Sequence, residues 1–145
     1  MRYFEDFQVG DVEITRARTV TEADIVNFAA FSGDWYPLHV DAEFAKKSPF
    51  GERIAHGMLV LSVATGLMPL YEMAIVAFYG MDKVRFTAPT KIGDTIHVEL
   101  EVLDTQDKGE LGGVIGFKNS VKNQQGVVVT VSIMKVMLAK RPGQS

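Results

Sequence analysis

Hydrophobic and polar positions change their period along this chain, and each change marks an element. Over residues 11–20, DVEITRARTV sets Val12, Ile14, Ala17 and Val20 in an imperfect alternation whose β-branched content predicts a first strand. Thr21 with Asp24 three residues on has the form of a capping box. Ile25, Phe28 and Ala29 then recur at helical spacing, which predicts a short helix from Glu22 to near Gly33. The segment GDWYPLHVD holds a Gly and a Pro within five residues and reads as a loop, followed by a short helix over DAEFAKK. Residues 54–71, IAHGMLVLSVATGLMPLY, are apolar almost all the way round a helix, and such a helix is enclosed by protein. From Ala74 onward the period becomes two: Ile96, Val98, Leu100 and Val102 alternate with Thr95, His97, Glu99 and Glu101. That alternation belongs to a half-buried antiparallel strand. Turn-rich breaks at residues 92–94, 107–109 and 124–126 divide the second half into about four strands.

One very apolar helix and a long antiparallel sheet make an α+β arrangement in which the sheet can wrap the helix. The 145 residues fit one domain spanning 1–145, large enough to bury a core without disulfide or metal staples. With no cysteine, a thiolate nucleophile, a disulfide framework and a cysteine zinc site are excluded. The net charge of -3, with Lys and Arg scattered singly or in pairs, provides no basic face for nucleic acid. The apolar stretch Gly57–Leu70 is shorter than the roughly 20 residues of a membrane helix, and no membrane partner is expected. The amino terminus, MRYFEDFQVG, lacks a basic stretch followed by an apolar run, so a cytoplasmic protein is expected. The three histidines, His39, His56 and His97, have no close His–His spacing on one predicted element, and no metal site is expected.

The candidate chemistry lies in two segments. In GDWYPLH, Asp34 and His39 stand five residues apart across Pro37, which can aim a carboxylate and an imidazole into one cleft. Alone, that spacing suits equally a turn-capping Asp and a His filling a polar gap. In RIAHGML, Gly57 begins the apolar helix, and its N–H has no partner inside that helix. Such a donor favours developing negative charge, although a glycine at a helix start needs no such role. Ser62 lacks the glycines of a nucleophile elbow, and Lys83 and Arg85 read as solvated strand charges that could also meet phosphates.

FSGDWYPLHVD followed by ERIAHGML resembles the MaoC-like family of (R)-specific enoyl-CoA hydratases and acyl dehydratases, whose hallmark approximates S-G-D-x-N-P-x-H. DKVRFTAPTKIGDTIHVELEV extends the resemblance to residues 10–138. The resemblance implies a hotdog fold, built as a homodimer or higher homo-oligomer, that interconverts trans-2-enoyl and 3-hydroxyacyl thioesters of coenzyme A or acyl carrier protein. It implies catalytic roles for Asp34 and His39, an oxyanion donor in the Gly57 N–H, and no cofactor beyond the coenzyme A of the substrate. Tyr36 departs from the hallmark, standing where the family has Asn. Phe86, Met68 and Tyr71 are candidates for closing a tunnel around the acyl chain. The competing expectations are a hotdog acyl-CoA thioesterase and a non-catalytic acyl-binding partner subunit.

Overall fold

Four long strands carry the second half of the molecule, as the period-two pattern predicts. In the computed structural model, which describes residues 1–143, they are β3 (Ile75–Phe86), β4 (Thr95–Asp107), β5 (Gly113–Lys122) and β6 (Val128–Leu138). Two short strands, β1 (Val12–Ile14) and β2 (Arg18–Thr19), both pair with β4. The sheet is antiparallel, in the order β1-β4-β5-β6-β3. Ile96, Val98, Leu100 and Val102 of β4 are all buried, and Phe117, Val121, Met134 and Val136 continue the same apolar face across β5 and β6.

Four helices precede or interrupt these strands: α1 (Glu22–Ser32), α2 (Pro37–Val40), α3 (Ala42–Lys46) and α4 (Gly57–Leu67). The capping box at Thr21 forms as expected, with Thr21 Oγ accepting the Asp24 N–H and the Asp24 carboxylate accepting the Thr21 N–H. Leu59, Val60, Val63, Ala64 and Leu67 of α4 enter the same core as the apolar face of the sheet, so the helix lies against the strands as expected.

Several boundaries differ from the sequence expectation, each for a local reason. The first strand is broken at Arg16, because Thr15 turns its hydroxyl to the Val98 N–H and the ladder restarts only at Arg18. The apolar helix is shorter than its apolar run. Ile54 bridges Lys91 and the Ala55 N–H donates to Thr90 O, which keeps the chain extended until Gly57. At the other end Met68 is extended, as the residue before a proline tends to be, and Pro69 has no N–H to continue the ladder. The loop over residues 33–41 contains a full helical turn begun by Pro37. Finally, Met58, Ser62 and Gly66, spaced by four, leave one stripe of α4 exposed, so the helix is not enclosed on every side within one protomer.

β3 forms one edge of the sheet. It bonds β6 on one side only, with irregular register at three places and a positive φ at Lys83. Val76, Phe78 and Tyr79 are each more than half exposed along it. Among the described residues no helix is long and apolar enough to cross a membrane.

Candidate active site

Asp34 is held just past the end of α1 by local main-chain geometry. Gly33 closes that helix at φ 79°, a left-handed conformation that costs glycine little. Ser32 Oγ accepts the Asp34 N–H at 3.1 Å, and the exposed Asp34 carboxylate accepts the Tyr36 N–H at 3.2 Å. Pro37 then begins α2, which carries His39 onto the extended segment that precedes α4.

That segment grips His39 at several points. Arg53 Nε donates to His39 O at 2.8 Å, while Arg53 also pairs with Glu22 of α1 at 2.6 Å. His39 Nδ1 lies 2.8 Å from Ile54 O. A carbonyl oxygen can only accept, so neutral His39 carries its proton on Nδ1 and presents Nε2 as a basic lone pair. The His39 ring stacks on His56, with centroids 3.9 Å apart. His56 is buried, its Nε2 donates to Asp34 O at 2.9 Å, and its Nδ1 has no hydrogen-bond partner among the described residues. Desolvation holds the His56 pKa below the ordinary imidazole value, opposed by its bond to the Asp34 carbonyl.

The structure brings Asp34 and His39 together as the sequence suggests. A carboxylate oxygen of Asp34 and one ring nitrogen each of His39 and His56 lie within 4.8 Å of one another. His39 and Gly57 line the same cavity, about 390 Å³ in volume, with Ile54, Val60, Phe86 and Thr130 among its other walls. Asp34 stands beside that cavity, not on its wall. Within the described residues the Gly57 N–H donates to no protein acceptor, and the His56 side chain does not cap α4. Phe86 lies across the space a Gly57 side chain would fill, 2.6 Å from an ideal Cβ.

The three residues that the sequence offers for closing an acyl tunnel separate here: Phe86 lines the cavity, Met68 is buried in the core and Tyr71 is largely exposed. Tyr36 sits edge-on to both His39 and Phe44, at 6.3 and 6.0 Å, so its ring braces the loop beside the histidine. Arg85 turns back to the Val84 carbonyl.

Sequence reasoning missed His56. Its two relevant neighbours, Asp34 and His39, lie 22 and 17 positions away, and spacing along one element could not reveal the cluster. The one available signal was a histidine inside an otherwise apolar run. Spacing on one predicted element, from which no metal site was expected, gave no sign that two histidines from different elements meet beside Asp34, and this donor set has the composition of a metal site. Its geometry does not. Each ring gives one nitrogen to a carbonyl and keeps the other, but the rings stack face to face. An ion between the rings would sit about 2 Å out of each ring plane, over the π faces, whereas a Zn–N bond of about 2.0 Å lies in the ring plane.

Residues 6–124 match the family model described as MaoC like domain. Over 100 residues the chain is 49% identical to Protein MaoC of Klebsiella aerogenes, a match that spans 68% of this chain and 30% of that protein. It is 35% identical to the (R)-specific enoyl-CoA hydratase of Rhodospirillum rubrum over 102 residues, 70% of each. The crystal structure of a monoamine oxidase regulatory protein from Archaeoglobus superposes with a TM-score of 0.91 at 44% identity, covering 97% of this chain and 96% of that one. A Mycobacterium tuberculosis protein described as a double hotdog fold covers 99% of this chain and 46% of its own length, with a TM-score of 0.87 at 22% identity. The fold is therefore the hotdog. Since both segments of the candidate site, Asp34 to His39 and His56 to Gly57, fall inside the matched region, the chain belongs to the MaoC-like dehydratase family.

Proposed function

We propose that this protein is an (R)-specific hydro-lyase that interconverts a trans-2-enoyl thioester and a 3-hydroxyacyl thioester, with coenzyme A or acyl carrier protein as the thioester handle. The observation that carries this reading is the Asp34 carboxylate beside His39 at the edge of a cavity that His39 shares with the Gly57 N–H. Relatives of the chain carry the names hydratase and dehydratase, which supports the same chemistry.

In the hydration direction, Asp34 and His39 hold one water over the β-carbon. Its oxygen bonds to that carbon as the pair takes its proton, and the C=C electrons move toward the thioester carbonyl. The enolate oxygen accepts the Gly57 N–H at the positive end of α4, where an unpartnered donor stabilises charge best. The pair returns a proton to the α-carbon from the same face, which makes the addition syn. Asp34 and His39 act as one unit on the water they share. The acyl part enters the cavity walled by Ile54, Val60 and Phe86. No metal or redox cofactor enters the reaction, and coenzyme A takes part only as the carrier of the substrate.

We extend the proposal to a homodimer built on the free edge of β3. Twelve residues of unpaired strand edge with exposed Val76, Phe78 and Tyr79 favour pairing with a second copy.

The test is hydration of crotonyl-CoA by the purified protein, followed as loss of enoyl-thioester absorbance. Asp34→Asn and His39→Gln are each expected to reduce the rate about 10²- to 10⁴-fold with the fold intact by circular dichroism. Near-wild-type turnover in either variant sinks the assignment. Release of free thiol from acyl-CoA without hydration points instead to a thioesterase, and binding without turnover to an acyl-binding subunit.

A further inference from the structure

His56 has no part in the proposed reaction, yet it contacts both members of the reacting pair, the Asp34 main chain and the His39 ring. It is 2% exposed and lies between two rings, His39 at 3.9 Å and Phe28 of α1 at 4.9 Å. It occupies the position that caps α4, but its side chain does not cap that helix. The Nε2–H instead reaches back 22 residues to the Asp34 carbonyl, at 2.9 Å. One buried side chain thus joins the end of α1, the loop bearing Asp34, the ring of His39 on α2 and the start of α4.

The surrounding segment acts in the same sense. Arg53 Nε binds the His39 carbonyl, Ile54 O accepts His39 Nδ1–H, and Ala55 N–H fastens the segment to Thr90 O. Residues 53–56 are therefore an extended template on which His39 is laid. Only His56 among them also reaches Asp34. Without it, the Asp34 carbonyl would lose its bonded donor, and Asp34 would be held only by exposed bonds, its N–H to Ser32 Oγ and its carboxylate to the Tyr36 N–H.

We propose that His56 is a positioning residue for the Asp34–His39 pair, its Nε2–H fixing the Asp34 peptide so that the Asp34 carboxylate and the His39 imidazole converge on one water. The proposal rests on the hydratase reading. His56 acts as a neutral imidazole, since an imidazolium there would be buried against the face of another histidine; desolvation favours the neutral form. It does not touch the substrate, and the bond to Asp34 O is the feature that acts.

Two variants separate that bond from simple packing. His56→Phe keeps a ring against His39 and removes the donor, whereas His56→Gln keeps a side-chain N–H and removes the ring. Crotonyl-CoA hydration gives kcat and KM, and the Kd of butyryl-CoA, a saturated analogue that cannot take up water, reports binding alone. His56→Phe is expected to lose roughly tenfold to a hundredfold in kcat, the loss expected when the part-buried bond that fixes the Asp34 peptide is removed. Its KM and its Kd for butyryl-CoA are expected to stay within about threefold of wild type. His56→Gln is expected to recover most of the lost kcat.

Wild-type kcat in His56→Phe overturns the proposal. So does an equal loss in both variants, or weakened butyryl-CoA binding in both, because general damage to the loop gives those results. If the wild-type protein binds butyryl-CoA but does not hydrate crotonyl-CoA, the hydratase reading has failed and the positioning claim is read from NMR. In that case the amide ¹⁵N resonance of Trp35, which shares its peptide with the Asp34 carbonyl, is expected to shift in His56→Phe and to stay near wild type in His56→Gln. An unchanged Trp35 amide resonance in His56→Phe then overturns it.

Discussion

A Cβ on Gly57 would lie 2.6 Å from Cε1 of Phe86, so it is the bare glycine that lets this ring lie across the start of α4. A bare glycine lets a substrate oxygen approach its backbone; in the structure a side chain of the same protein uses that closeness as well. Phe86 ends β3 and is 53% exposed, so the ring is free to move if pushed. Gly57→Ala should therefore be tolerated by the fold, and Ala is the better helix former by about 1 kcal/mol. The displaced ring would narrow the cavity, and the KM for crotonyl-CoA is expected to rise about threefold to tenfold. Phe86→Ala in the same chain should restore it. Steady-state kinetics on the single and double variants decide the matter: an unchanged KM in Gly57→Ala would show that the ring does not bound the acyl site.

Among the elements, β3 has the clearest unmet need. Its irregular register against β6 between Phe78 and Gly80 and between Asp82 and Arg85 twists the strand but leaves its outer edge unpaired. A strand edge of this length flanked by exposed apolar side chains binds another strand unless charge prevents it. The protein should sediment at twice the 16.0 kDa of one chain, and Val76→Lys with Phe78→Lys should return it to the protomer mass. A wild-type protein that sediments as a monomer at micromolar concentration would remove the dimer from the proposal. The same elements show how far sequence reading reaches. The four long strands and α1 were legible because their patterns are set by burial on one face and by a cap three residues away, both local in sequence. The start of α4 at Gly57 was read from the sequence, but its end was not, since the apolar run continues to Tyr71 and only the extended Met68 before Pro69 stops the helix. Asp34, His39 and Gly57 were legible as residues through their motif. His56 was not legible as their partner, because its contacts run to Asp34 and to a ring brought near only by the turn of α2.

For the molecule as a whole, the groups with displaced ionisation all make acid unfavourable. Asp6 is held low first by the Tyr3 N–H and also by Arg141, Glu99 by Lys122, and Asp107 by Lys140. Each such carboxylate stabilises the fold above its unfolded value, near 3.8 for Asp and 4.5 for Glu, and that help is lost as pH falls through the folded value. His56 reaches the same direction by another route. Burial lowers its pKa from 6.5, so below that value the unfolded chain takes up a proton that the folded chain still resists, and stability drops until the folded pKa is passed. The His56 window opens first as pH falls, because the carboxylates remain ionised in both states well above their unfolded values of 3.8 and 4.5. Between about pH 7.5 and about pH 5.5 the His56 contribution can therefore be read by itself, from urea unfolding of the wild-type protein and His56→Gln at one protein concentration. The wild-type protein should lose more stability across that interval than the variant, which has no imidazole to protonate on unfolding. Equal losses would mean that His56 is already as free to take a proton in the folded molecule as in the unfolded chain. It would then not be the desolvated, neutral ring that the stack on His39 and the bond to the Asp34 carbonyl require.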